Sequence, residues 1–152
     1  MRRKRWSERS SLYLPAETSV RVRFQEADTL GIVWHGHYLT YFEEGRNHFG
    51  RQHSFDYERI RREGCITPIV RIEVEYFAPA RFDDVLRVEA RLHPAEGAWI
   101  HFTYIVRDGG GRTLAAGSSV QVFTDLSGAL VLTQPRFYRE LLERWKERMV
   151  EG

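Results

Sequence analysis

The sequence predicts an α+β domain whose helices and strands are segregated along the chain, and three observations point to it. A strand-like alternation near the N-terminus is followed by one long helical repeat. Four strand-like runs then succeed one another with no helix between them, and an amphipathic repeat closes the chain. An alternating βαβ protein would have separated those strands by helices.

The length of 152 residues fits one domain, large enough to bury roughly 70% of its unfolded surface without disulfides or a structural metal. Cys65 is the only cysteine, so no intrachain bridge and no paired-thiolate zinc module is available. Its context "EGCITPIV" is that of a small buried hydrophobe. The start "MRRKRWSERSS" is basic but has no apolar run behind it, unlike a secretory signal. No stretch approaches a membrane span, so a soluble, cytoplasmic protein is expected. Formal net charge is +2 and much of the excess lies in that first segment, which makes nucleic acid an unlikely partner for the domain itself. The expected division is a basic, flexible tail over 1–16, a domain over 17–133, and a C-terminal amphipathic helix over 134–152 packed on the domain or on a partner.

Taken in order, "TSVRVRFQEAD" alternates Val20, Val22 and Phe24 against Arg21, Arg23 and Gln25, and predicts a half-buried strand that ends at the acid. In "HYLTYFEEGRNHFGRQ", Tyr38, Tyr41, Phe42 and Phe49 recur at helical spacing and predict a deeply packed, aromatic-faced helix. A looser charged segment continues through Glu63. "PIVRIEVEYFAPA", "DVLRVEARLH", "AWIHFTYIVRD" and "RTLAAGSSVQVFTD" then predict four strands of an antiparallel meander. The first of them alternates Val70, Ile72, Val74 and Tyr76 against Arg71, Glu73 and Glu75, and "DGGGR" serves as the turn between the last two. In "TQPRFYRELLERWKERM", Thr133 is a cap candidate and Pro135 falls in the first turn. Phe137, Leu141, Trp145 and Met149 make the apolar face. One long helix can cover only one face of a five-stranded sheet, and open sheet edges invite a second copy, so a homodimer is expected.

The chemically unusual stretch is "DTLGIVWHGHY", residues 28–38. Three readings are open. It is a type I turn, with Asp28 first and Gly31 fourth. It is a metal site, although His35 and His37 share a face only in a strand and no H-E-x-x-H spacing follows; none is expected. Or it is a reactive site. A helix starting near Gly36 offers free backbone N–H groups and partial positive charge to an oxygen gaining negative charge in acyl transfer. Asp28 is then base or nucleophile, His35 orients water or substrate, and Trp34 and Tyr38 form apolar walls. No G-x-S-x-G elbow is present, and a thiolate leaves more readily than an amine, so one carboxylate with an oxyanion site points to a thioester.

"VRVRFQEADTLGIVWHGHYLTYFEEGR" and "TPIVRIEVEYFAPARFDDVLRVEARL" together resemble the hot-dog-fold acyl-CoA thioesterases of the 4-hydroxybenzoyl-CoA thioesterase superfamily, in particular the YbgC-type branch. Asp28, Gly31, Ile32, Val33, Trp34, His35, Tyr38 and Glu43 occupy the matching positions, and the likeness runs from about Val20 to Asp125. The resemblance implies a five-stranded antiparallel sheet wrapped around a long helix, and dimers with one continuous sheet that often pair into homotetramers. It implies hydrolysis of a short-chain or aromatic acyl-CoA with no cofactor beyond the CoA of the substrate. Asp28 and His35 would be catalytic, the backbone N–H groups of His35 and Gly36 would form the oxyanion site, and Trp34, Tyr38, Thr67 and Pro68 would bind substrate. Gly31 and Glu43 would have structural or accessory parts. Arg71, Arg107 and the tail arginines are eligible for the CoA phosphates. The chain departs from the pattern at His37, where an Asn is usual. Two alternatives share the fold: an acyl carrier protein thioesterase, and a non-catalytic acyl-CoA-binding module, which would not need an acid at position 28.

Overall fold

The computed structural model describes residues 10–152; the first nine residues of the expected tail lie outside them. The rest of that segment is not a tail, because strand β1 spans Leu12–Arg21. Leu14 and Ala16, 2% and 5% exposed, extend the inward alternation on either side of Pro15. Proline is tolerated there because β1 lies near the sheet edge. The strand also ends earlier than the alternation predicts. After Val22 the chain bends into a 3-10 turn over Phe24–Glu26, where the Glu26 carboxylate accepts the Arg23 N–H at 2.7 Å. Phe24, expected inward, is 78% exposed and meets the edge of Phe82.

A 3-10 turn over His35–His37 leads into helix α1, Tyr38–Gln52. The four aromatics of its predicted face are buried. Phe42 stacks on Tyr104 with centroids 4.5 Å apart, and Phe49 meets Phe102 edge-on at 5.1 Å. Each such buried side chain contributes about 1.5–3 kcal/mol. The charged segment that follows contains a short helix α2, Tyr57–Arg62, capped by Asp56, which accepts the Arg59 N–H at 2.8 Å.

The remaining strands are β2 (Cys65–Ile66), β3 (Ile69–Tyr76), β4 (Val85–His93), β5 (Trp99–Arg107), β6 (Thr113–Val122), β7 (Thr124–Asp125) and β8 (Val150–Glu151). The main sheet has the order β3-β6-β5-β4-β1-β8, with every pairing antiparallel; β2 and β7 form a separate two-stranded ladder. The simple meander is corrected here. Only β4, β5 and β6 follow one another in space, while β3 crosses to the far side and pairs with β6. Among the described residues the sheet has six strands, because the C-terminus adds β8 to β1 through Leu12 and Tyr13. Leu86, Val88, Ala90, Leu92, Ile100, Phe102, Tyr104 and Val106 form its inner face, all 1% exposed or less, and α1 packs against this layer as the hot-dog arrangement requires.

The C-terminal segment is not one helix. Helix α3 covers Arg136–Trp145, is followed by a 3-10 turn over Lys146–Arg148, and gives way to β8. Pro135 occupies the cap position, no side-chain hydrogen bond caps the helix, and Thr133 lies outside it. The helix packs on its own domain. Trp145, 1% exposed, sits 5.7 Å from the ring centroids of both Phe49 and Phe55. Cys65 is buried as expected, and burial pushes its thiol pKa up.

Candidate active site

Residues 22–38 form a hydrogen-bonded loop that carries the unusual stretch from the end of β1 to the start of α1. The Val22 N–H donates to Asp84 O at 2.9 Å, the Val33 N–H to Ala80 O at 2.8 Å, and the Trp34 N–H to Glu26 O at 2.9 Å. Glu26 was not singled out by sequence reasoning. Its carboxylate is buried, accepts the Arg23 N–H, and accepts the Tyr41 hydroxyl at 3.2 Å. Burial, together with the neighbouring Glu26 charge, pushes the Tyr41 phenol pKa well above its ordinary range. The signal in the sequence was the spacing of Arg23 to Glu26, which resembles a capping box but lacks its usual Ser or Thr.

Asp28 opens a tight turn. The Gly31 N–H donates to Asp28 O at 3.0 Å and the Asp28 N–H to Ile32 O at 2.8 Å. Asp28 Oδ1 accepts the Leu30 N–H at 2.8 Å, which leaves Oδ2 uncommitted within the turn. Gly31 is required by its φ of +77°; no heavy atom lies within 4 Å of where its Cβ would be. The turn reading is therefore correct, and it holds the acid in place without consuming both oxygens.

Asp28, His35 and Tyr38 line one open groove of about 480 Å³, together with Leu30, Ile32, Val33 and the β3 end from Tyr76 to Pro79. His35 and Gly36 precede the first bond of their turn, the His37 N–H to Trp34 O at 2.9 Å, so their N–H groups have no acceptor within it. Tyr38 is 2% exposed; its hydroxyl accepts the Ala80 N–H at 3.2 Å, and burial raises its pKa. It forms the floor of the groove. Tyr76 was also missed: its hydroxyl donates to the His35 carbonyl at 2.7 Å. No local pattern announces a contact between residues 41 positions apart.

Other predicted residues fall elsewhere. Trp34 does not line the groove; it packs on the rings of His35 and His37 at 4.9 and 5.4 Å and covers Gly36. A Cβ at Gly36 would come within 2.1 Å of the Trp34 ring, so glycine is what allows that packing. His37 stands at the α1 cap position, where its side chain makes no capping bond. Thr67 is 3% exposed and receives Gln121 Nε2 at its carbonyl (2.8 Å), while Pro68 O accepts the Val122 N–H at 3.1 Å. Both lie at the opposite end of β3 from the groove in the same chain. Glu43 is exposed in the middle of α1 and is not part of the groove. Arg71 pairs with Glu73, and Arg107 pairs with Glu89 at 2.9 Å. The tail arginines at positions 2, 3, 5 and 9 lie outside the described residues. Among the described residues no three His, Cys, Asp or Glu side chains converge as metal ligands, and no helix is long and apolar enough to cross a membrane.

Known proteins share both sequence and shape with this chain. The acyl-CoA thioester hydrolase YbgC of Escherichia coli is 32% identical over 84 residues, a match that spans 55% of this chain and 63% of the relative. A Thermus thermophilus crystal structure superposes with a TM-score of 0.77 at 29% identity, covering 85% of this chain and 98% of the other. The DHNA-CoA thioesterase of Staphylococcus aureus has the same fold, with a TM-score of 0.79 at 19% identity over 88% of this chain and 91% of that one. The sequence model of the thioesterase-like superfamily matches residues 22–144. On that match the chain belongs to the thioesterase-like superfamily.

Proposed function

We propose that the protein is an acyl-CoA thioesterase that hydrolyses a short-chain or aromatic acyl-CoA to the free acid and CoA, with Asp28 as the reacting carboxylate. The observation that carries this reading is the convergence of Asp28 and His35, the first residue of the turn before α1, on one groove. In the proposed reaction the thioester carbonyl lies against the His35 and Gly36 N–H groups, which stabilise the oxygen as it gains charge. Asp28 Oδ2 either takes a proton from the attacking water or adds to the carbonyl itself, giving an anhydride that water then opens to the free acid and the restored carboxylate, and both routes need the same ionised oxygen. The thiolate of CoA departs without an elaborate acid because its pKa is only ~8.5. His35, whose ring borders the groove, orients the water or the acyl group. The reaction asks for no cofactor, and the cytoplasm is the expected compartment.

The reading includes a homodimer, and in turn a homotetramer. Among the described residues strand β3 pairs only with β6, which leaves one edge free. It and its flank expose Ile69, Val70, Tyr76 and Phe77 at 40–57%, with no lysine or proline to blunt the strand. An antiparallel β3 from a second copy, related by a two-fold axis through the strand's centre, would bring that copy's Thr67 and Pro68 beside Tyr76 and Phe77. Those two residues would then wall the groove from across the interface, which is the substrate-binding part the resemblance implies for them. The test is a panel of short-chain, aryl and acyl carrier protein thioesters assayed for free thiol with purified protein. Release from the CoA esters is expected. Release only from carrier protein esters would favour the acyl carrier protein alternative, and no release from any would refute the reading.

A further inference from the structure

We propose that Tyr76 is a positioning residue whose phenol, by donating a hydrogen bond to the His35 carbonyl, strengthens the Gly36 N–H as a donor to the oxyanion. This inference rests on the reading of residues 35 and 36 as the oxyanion site. The His35 C=O and the Gly36 N–H belong to one planar, resonance-coupled peptide unit. A donor that draws electron density onto the carbonyl oxygen leaves the nitrogen more positive and its hydrogen a better donor. This is the cooperative polarisation seen along hydrogen-bonded chains. The direction of the bond is fixed, since a carbonyl oxygen can only accept and the phenol supplies the hydrogen. Burial raises the Tyr76 pKa above its ordinary value.

The geometry is specific. At 2.7 Å the contact has the usual length of a good O–H···O bond. The ring is set by a T-shaped contact with Tyr38, with centroids 5.1 Å apart and planes at 87°, and by a second with His35 at 6.5 Å and 85°. Tyr76 also closes β3, paired with Ala115 of β6, so the sheet edge delivers the phenol to the helix start. A single oxyanion donor contributes about 10²–10³ to kcat, and one cooperative bond strengthens its neighbour by about 10–30%. Scaling the first by the second gives an effect of about two- to eightfold.

The experiment compares wild type, Tyr76→Phe, a protein with 3-fluorotyrosine at position 76, and Asp28→Asn. Steady-state kinetics on the best acyl-CoA of the panel are combined with the Gly36 amide proton shift in NMR spectra. Tyr76→Phe is expected to lower kcat about two- to eightfold with KM unchanged, and to move the Gly36 proton upfield. The fluorinated phenol, a stronger donor, is expected to exceed wild-type kcat and to move that proton downfield of wild type. A purely structural tie would give a fluorinated protein identical to wild type in both readouts, and that result overturns the proposal. If Tyr76→Phe does not fold, the fluorinated protein alone decides by the same two signs. Unchanged kcat in Tyr76→Phe, alongside loss of about a hundredfold in Asp28→Asn, refutes this inference and leaves the thioesterase reading standing. Full activity in Asp28→Asn refutes that reading instead.

Discussion

Replacing Glu26 with alanine removes one acceptor from two donors, and the structure sets what each loss should cost. Tyr41 is 1% exposed and its hydrogen bond to Glu26 is buried, and stranding a buried donor costs about 1–3 kcal/mol. Its 3.2 Å distance to Glu26 is long for an O–H···O bond, which selects the low end, about 1 kcal/mol. The Arg23 N–H is bound more tightly, at 2.7 Å, but water can reach it in the variant, so the loss is that of a capping bond, about 1 kcal/mol. Glu26→Ala should therefore destabilise the protein by about 2 kcal/mol in urea titrations and lower Tm by roughly 4–8 °C. Tyr41→Phe alone should cost under about 1 kcal/mol, because Glu26 keeps Arg23. The double variant should cost about 1 kcal/mol less than the sum, since the phenol is no longer there to be stranded. Additivity within about 0.3 kcal/mol, the scatter expected of independent sites, would show that the Glu26–Tyr41 contact does not hold the loop.

Two further outcomes follow from the loop and from the C-terminal cluster. Gly31→Ala should cost about 1–2 kcal/mol through backbone strain alone, because φ is +77° and the space is open. Gly31→Asn should recover part of that cost, whereas equal costs in thermal unfolding would point to a lost contact instead. His53 is buried between Phe49 and Trp145, and burial lowers its pKa below the ordinary 6.5. The unfolded chain therefore takes up the proton first as pH falls. Stability tied to the neutral ring is complete above about pH 6.5 and is lost progressively as pH drops through the folded-state value. His53→Phe should flatten the Tm profile between pH 7 and 5, and parallel wild-type and variant profiles would exclude this role for His53.

Much of the fold was legible because burial is periodic. The aromatic face of α1 was read correctly from spacing, since it packs on a single continuous layer, and the runs that form β4 and β5 were recognised as strands. Strand β3 was read as a strand, but its place was not: it lies at the sheet edge with Val70 and Tyr76 half exposed, and no period distinguishes an edge from an interior strand. The early end of β1 was hidden because Phe24 continues the alternation while the Glu26 side chain bends the chain. Pairing of the chain's two ends, β1 with β8, depends on where α3 docks, which a local window does not contain. Around the groove, the turn from Asp28 to Gly31 was legible from turn chemistry, and the place of His35 just before α1 from the helical period that follows it. Glu26 and Tyr76 were not, because each acts through a hydrogen bond to a partner set by the tertiary fold. Trp34 was assigned to the groove by proximity in sequence; its ring instead turns over Gly36.

The central claim is that the Asp28 carboxylate reacts at the groove beside the start of α1. Asp28→Asn keeps the Oδ1 acceptor for the Leu30 N–H and removes only the charge, so the turn should survive. The most direct measurement is kcat for acyl-CoA hydrolysis by this variant, with folding checked by circular dichroism. A fall of at least about a hundredfold, or ~2.7 kcal/mol of transition-state stabilisation, is the predicted result. A folded Asp28→Asn protein with near wild-type turnover would contradict the account.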